Sequence, residues 1–300
     1  MRYALVADEH SLRLDGGMMV NPRQRVSKRF FGWLNLLLLS VLVGIVPQAT
    51  VSAAPLCSSV ASSGTKPAPV GNISTWPKWR QIFIDNFDRC SLGGDWGPYY
   101  GAPGGNSASW WDPSMVRLDG GKLQLRAQQV DGRWLTGGVS NFTRAQQYGK
   151  WEMRFRADKS DEISFHLLLW PKNEIWPPEI DIAETVDGNR KSMSAFVHWN
   201  TPTDGFGQGQ ADITGDFSNW NTVGVEWGPG IVRGTLNGRV WTTFESATKV
   251  PATPMWLGLQ TESGACARKV AWGVGSCPSA GTPAVSNVEI DWVSVYAPGW

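Results

Sequence analysis

The sequence predicts an all-β protein, an antiparallel sandwich of the jelly-roll kind with a concave cleft on one sheet. Three observations carry that prediction. About a dozen short extended runs are separated by Gly, Asn and Asp turns. No segment sustains a helical period. Asn237-Gly238, set between two apolar runs, is the strongest hairpin signal in the chain. No internal repeat is present, which argues against a propeller or a solenoid.

Taken in order, the chain begins with a targeting signal. Arg23, Arg25, Lys28 and Arg29 precede an apolar run over 30–46; Pro47 ends it and Val51-Ser52-Ala53-Ala54 offers small residues for cleavage. Residues 1–54 therefore read as a secretory signal peptide, and the mature protein as secreted. The run is near the lower length limit for a membrane span, so an uncleaved anchor is the alternative and the only expected route to a membrane. Residues 55–75, rich in Ala, Ser, Pro and Gly, read as a flexible linker. The domain then occupies 76–300. Strands are expected over 80–87, 115–118 and 122–128, the last two flanking Asp119-Gly120-Gly121. Residues 148–157 alternate with a period of two, placing Trp151, Met153, Phe155 and Ala157 on one face. Residues 164–170 are more continuously apolar, as in a strand buried on both faces. Further strands are expected over 192–199, 221–227, 231–236, 239–244, 255–261 and 288–296.

The full chain carries 27 Lys/Arg and 26 Asp/Glu, a net charge of +1. Loss of residues 1–54 removes six basic and three acidic residues, which leaves a charge of −2 and argues against a nucleic-acid partner. A monomer is expected. All four cysteines lie beyond the signal, where disulfides persist. Cys266 with Cys277, closing a Gly-rich loop, and Cys57 with Cys90 is the favoured pairing, although four cysteines allow three connectivities. Seventeen of the 18 tryptophans remain after cleavage. That is more than such a core needs, and indole faces suit the apolar faces of sugar rings.

Glu179-Ile180-Asp181-Ile182-Ala183-Glu184 is the chemical centre of the chain. No basic residue lies between Lys172 and Arg190, so these acids have no local positive partner. In a regular strand Glu179 and Asp181 share a face and Glu184 points away. A one-residue bulge near Ile182 or Ala183 returns Glu184 to that face, and bulges recur beside active sites. Two glutamates with an aspartate between them suit glycoside hydrolysis, in which one carboxyl attacks and the other donates a proton.

The motif resembles the bulged E-x-D-x-x-E signature of glycoside hydrolase family 16, laminarinase-like branch. Tyr148-Gly149-Lys150-Trp151-Glu152, 165–171, Val225-Glu226-Trp227 and 291–296 resemble further strands of that family, over most of 79–298. The resemblance implies a concanavalin-like fold and a retaining endo-β-glycanase with Glu179 as nucleophile, Glu184 as acid/base and Asp181 as assisting carboxylate. A polysaccharide is the implied partner, β-1,3-glucan the leading substrate, and no cofactor serves catalysis. Substrate-binding candidates are Trp176, Trp170, Trp110, Trp111, Asn106, His198, Trp199, Gln260 and Glu262. A structural calcium ion at Asn86 and Asp291 is a further implication, weakened because Asn86 stands where an acid is commoner. The rivals are a noncatalytic carbohydrate-binding sandwich, a wall-anchored structural protein, and a transglycosylase or galactanase of the same family.

Overall fold

The computed structural model describes residues 71–73 and 78–299. The expected signal peptide and most of the linker lie outside the described residues. Strands are numbered in chain order. One sheet runs β1 (Asn72–Ile73), β2 (Trp79–Asp85), β17 (Val285–Pro298), β8 (Gly149–Ala157), β13 (Asn221–Gly228), β14 (Ile231–Leu236) and β15 (Arg239–Glu245). β5 (Leu123–Val130) joins β17 in this sheet and brings β4 (Val116–Leu118) and β6 (Arg133–Thr136) with it. The other sheet runs β12 (Gly205–Thr214), β11 (Ser192–Thr201), β10 (Glu179–Thr185), β9 (Ser164–Pro171), β16 (Met255–Glu262), β7 (Gly138–Ser140) and β3 (Gly97–Pro98). The named strands pair antiparallel throughout, giving the expected sandwich.

The core fills the space between the sheets. Trp151, Met153 and Phe155 of β8 and Val223, Val225 and Trp227 of β13 meet Phe165, Leu167 and Leu169 of β9 and Ile180, Ile182 and Ala183 of β10. Each large side chain so buried stabilises the fold by about 1.5–3 kcal/mol. Because Phe165, Leu167 and Leu169 point inward, His166, Leu168 and Trp170 must point to the other face of the sheet. The apolar run at 164–170 was expected to be buried on both faces. Its outer face instead carries half-buried His166 and Trp170, because that face is part of the site.

Local chemistry accounts for the turns. Asn237 and Gly238 take φ of 50° and 80°, the left-handed pair that a tight hairpin needs, and Leu236 pairs with Arg239. The Asn237 side chain also accepts from the Thr222 backbone N–H at 2.8 Å, tying the hairpin to β13.

Three features depart from the sequence reading. Asn72 and Ile73, inside the expected linker, pair with β2. The ten-residue strand β12 was not expected, since the glycines at 205, 207 and 209 interrupt GFGQGQADIT and its β-branched residues come only at the end, Ile213 and Thr214. Its glycines serve packing: a Cβ on Gly207 would lie 2.8 Å from the Trp199 ring, and one on Gly209 would lie 2.7 Å from Phe244. The loop closed by Cys266–Cys277 is a disulfide as favoured, but it contains a short helix, α1 (Ala265–Ala271). Cys90 is disulfide-bonded too; Cys57, expected to be its partner, lies outside the described residues.

Candidate active site

β10 carries the bulge. Asp181 pairs with Phe196 and Glu184 with Ser194 on β11, so three steps on one strand match two on the other. Against β9 the shift falls between Asp181 and Ala183. Ile182 is the extra residue. It and Ala183 both go to the core, and Glu184 returns to the face of Glu179 and Asp181.

Each carboxylate meets a different environment. Glu179 is 9% exposed, and its Oε2 accepts from Trp176 Nε1 at 2.7 Å. Burial, with the charge of Glu184 added, pushes its carboxyl up to about 8, opposed by the Trp176 bond. Asp181 is 2% exposed. Burial and its two glutamate neighbours raise it well above the usual carboxylate range. Among the described residues no N–H or O–H hydrogen-bonds to either of its oxygens. His198 Nε2 is 3.1 Å from Oδ2 but is not aligned as a hydrogen bond. Burial and the two glutamates thus favour the protonated form of Asp181, whose hydrogen would be available to Glu179 or Glu184. Oxygens of Glu179 and Asp181 and a His198 nitrogen lie within 4.8 Å of one another. Burial lowers the His198 imidazole, and the charge of Glu184 opposes it.

Glu184 differs because of β9. His166 Nδ1 lies 2.5 Å from Glu184 Oε1. Burial acts to raise Glu184, but the charge and hydrogen bond of His166, with His198 and Arg268 behind them, outweigh it and hold the carboxyl below its usual value. Burial acts to lower His166, and the charges of Glu184 and Glu262 overcome it, so the imidazole is raised.

The protons on this strand have a consequence for stability. Glu179 binds its proton more tightly folded than unfolded. Its contribution is therefore complete below its ordinary value of 4.5 and is lost as the pH rises toward about 8. The thermal midpoint is expected to fall across that window. Glu179→Gln, which cannot ionise, should flatten the fall and melt several degrees higher at pH 8. Thermal unfolding of both proteins from pH 4.5 to pH 8 checks this, and parallel curves would contradict it.

The other expected site residues divide into two groups. Trp176 is 45% exposed and packs on Phe206 and His198 beside Glu179. Trp170 faces the cleft, where Glu174 accepts from its Nε1 at 3.1 Å and from Trp256 Nε1 at 3.2 Å. Glu262 is buried, and Asn106 Nδ2 and Gln260 Nε2 both donate to it, at 2.7 and 3.1 Å. Those three form one polar cluster across β9 from the acidic strand. Trp111 is a correction: it is 5% exposed, donates to the Thr261 carbonyl and lies under Tyr99, so it offers no platform. Trp199 is another. Neighbours on a strand point oppositely, so while His198 faces Asp181, Trp199 stacks on Phe244 between the sheets. Trp110 is tied up outside the carboxylate row, under the Arg133 guanidinium and against the edge of Tyr100.

At the expected calcium position, Asp291 is buried and ion-paired with Arg154. The Arg154 guanidinium donates to the carboxylate that a cation at this position would share.

Tyr99, Arg268 and a role for His166 were not foreseen. Tyr99 lies over β7 and β16, and burial with the charges of Glu174 and Glu179 raises its hydroxyl well above its usual value. Its trace in the sequence is two glycines in strands: a Cβ on Gly138 would lie 2.4 Å from the ring and one on Gly258 2.9 Å from the hydroxyl. Arg268 arrives from α1 and left no sequence signal.

Three carboxylates gathered by a bulge on the outer face of a sandwich, bordered by tryptophans, define the class as a carbohydrate-processing β-sandwich. The chain belongs to glycosyl hydrolases family 16, whose model matches residues 105–293. Among curated relatives it is 24% identical over 258 residues to the endo-1,3-1,4-beta-glycanase EglC of Rhizobium meliloti (strain 1021), covering 72% of this chain and 51% of that one. It is 27% identical over 161 residues to ExsH of the same organism, covering 51% and 31%. The chain thus spans about a third to a half of the length of these relatives. The laminarinase of Rhodothermus marinus shares the fold with a TM-score of 0.62 at 22% identity, over 74% of this chain and 98% of that one. A laminarinase catalytic domain from Thermotoga petrophila RKU-1 does so with a TM-score of 0.61 at 20% identity, over 74% and 99%.

Proposed function

We propose that this protein is a secreted endo-β-glycanase that cleaves glucans containing β-1,3 links, with retention of configuration. The single observation that carries the reading is the bulged strand, which sets Glu179, Asp181 and Glu184 on one face. Glu179 attacks the anomeric carbon, Glu184 protonates the leaving oxygen and later activates water, and Asp181 assists as the carboxyl between them. Asp181 lies between the two glutamates on the same face of the bulged strand, and a nucleophile and an acid/base on one face suit double displacement.

The unliganded site holds its proton on the wrong glutamate for attack, since Glu179 is raised and Glu184 lowered. Glu179 is freed for attack when Asp181 takes its proton and releases its own to solvent. The sugar's arrival also displaces water and brings the developing positive charge of the oxocarbenium-like transition state, which favours an ionised Glu179. No cofactor enters these steps.

The substrate reading rests on the names of the relatives and on the platform made by Trp176 and Phe206 beside Glu179. Secretion rests on the signal-like residues 1–54. The test is reducing-sugar release from laminarin, mixed-linkage β-glucan and a galactan, with the product anomer followed by NMR. Release from the two glucans with the β anomer appearing first is expected. An α anomer formed first overturns retention, and binding without hydrolysis of any polymer supports the noncatalytic sandwich instead.

A further inference from the structure

His166 has a second set of contacts that fixes what it can do. Its Nε2 is 2.9 Å from Ser164 Oγ. That hydroxyl accepts from Arg268 Nη2 at 2.5 Å and donates to the Glu262 carbonyl at 3.2 Å. With its one hydrogen on that carbonyl it accepts from His166, the arrangement in which Nε2 carries a hydrogen. The charge state of the ring is then decided at Nδ1 alone, against Glu184 Oε1 at 2.5 Å.

Either Nδ1–H donates to a Glu184 carboxylate, or a Glu184 carboxyl O–H donates to Nδ1. The contact needs one proton in both forms. Without it, a lone pair would face a carboxylate. The groups around the ring are Glu184, Asp181 and Glu179 on β10, Glu262 on β16, Arg268 on α1 and His198 on β11. Arg268 is itself pinned, donating to Glu262 Oε2 at 2.8 Å. Cys266–Cys277 closes the loop that presents it.

We propose that His166 is the positioning residue for Glu184 and that the two share one exchangeable proton, acting together as the acid/base of the reaction. The proposal rests on the reading of Glu184 as acid/base and goes beyond it. In the first step the bond from the anomeric carbon to the leaving oxygen breaks as a Glu179 oxygen bonds to that carbon. The leaving oxygen keeps the bonding pair and takes the shared proton. The unit is then Glu184 carboxylate beside a neutral ring with Nδ1 unprotonated, which is a stronger base than a lone carboxylate. In the second step water bonds to the anomeric carbon, Glu179 departs, and the proton released by water returns between Nδ1 and Oε1.

The test uses leaving-group chemistry, which a purely structural role would not read. kcat/KM is measured on mixed-linkage β-glucan and on 2,4-dinitrophenyl β-laminaribioside, whose leaving group needs no proton, for wild type, His166→Leu, His166→Asn and Glu184→Ala. His166→Leu should lose about 100-fold on the glucan, the low end of what proton transfer contributes, and less than about 5-fold on the aryl glycoside. His166→Asn keeps an N–H near the Nδ1 position but cannot give up its proton, so it should fall between wild type and His166→Leu on the glucan. Equal losses on both substrates, or a His166→Leu enzyme as active as wild type, overturn the proposal. If Glu184→Ala shows the leaving-group dependence and His166→Leu does not, only the role of His166 falls. If neither shows it, the reading of Glu184 falls as well.

Discussion

Glu179→Ala is expected to lose at least about 10,000-fold in kcat on every polymer the wild type cleaves, because no other group can form the covalent intermediate. Asp181 and Glu184 remain acidic neighbours, but of the three only Glu179 is held by the Trp176 indole. The Trp176 indole loses its acceptor, so a fall in stability could imitate a chemical effect. Two measurements separate them. Glu179→Gln preserves a hydrogen-bond acceptor for Trp176 and should be equally inactive while melting no lower than wild type. Azide added to Glu179→Ala with an activated β-glycoside should restore turnover and give the α-glycosyl azide, the inverted product. Failure of rescue together with residual polymer hydrolysis above 1% of wild type would place the nucleophile elsewhere.

Glu184→Ala should show the second largest effect, roughly 100- to 10,000-fold on polymer and far less on a dinitrophenyl glycoside, because only the poor leaving group needs a proton. Azide should again rescue, now at the second step, and give the β-glycosyl azide with configuration retained. The same change leaves His166 beside an empty space. Its imidazole, raised by the charges of Glu184 and Glu262, should therefore titrate at lower pH in the variant, and NMR of the histidine ring reads this directly. An unchanged ring titration would mean that Glu184 is not its charge partner.

Much of this was legible in the residues because it is local. The alternation over 149–157 needs only the pleat of a strand, and its inward set Trp151, Met153 and Phe155 is fully buried as expected. The hairpin at Asn237-Gly238 needs only two residues that tolerate positive φ. The bulge could be inferred because three acids on one strand make chemical sense only if they share a face. β12 was missed because its glycines answer to contacts in space: Gly207 to the Trp199 ring across the hairpin and Gly209 to the Phe244 ring from the other sheet. Trp199 and Trp111 were misplaced because composition shows how many tryptophans exceed the needs of a core, but not which face of a strand each one takes.

The sequence by itself determined the class of sandwich, the acidic strand and the order of its three carboxyls, since each follows from spacing along a few residues. Tertiary structure alone decided where the protons sit. Burial raises Glu179, while an imidazole from the neighbouring strand lowers Glu184. That imidazole is oriented through Ser164 by Arg268, 104 residues further along the chain. Charge interactions depend on distance and desolvation in space, and no spacing along a chain encodes either.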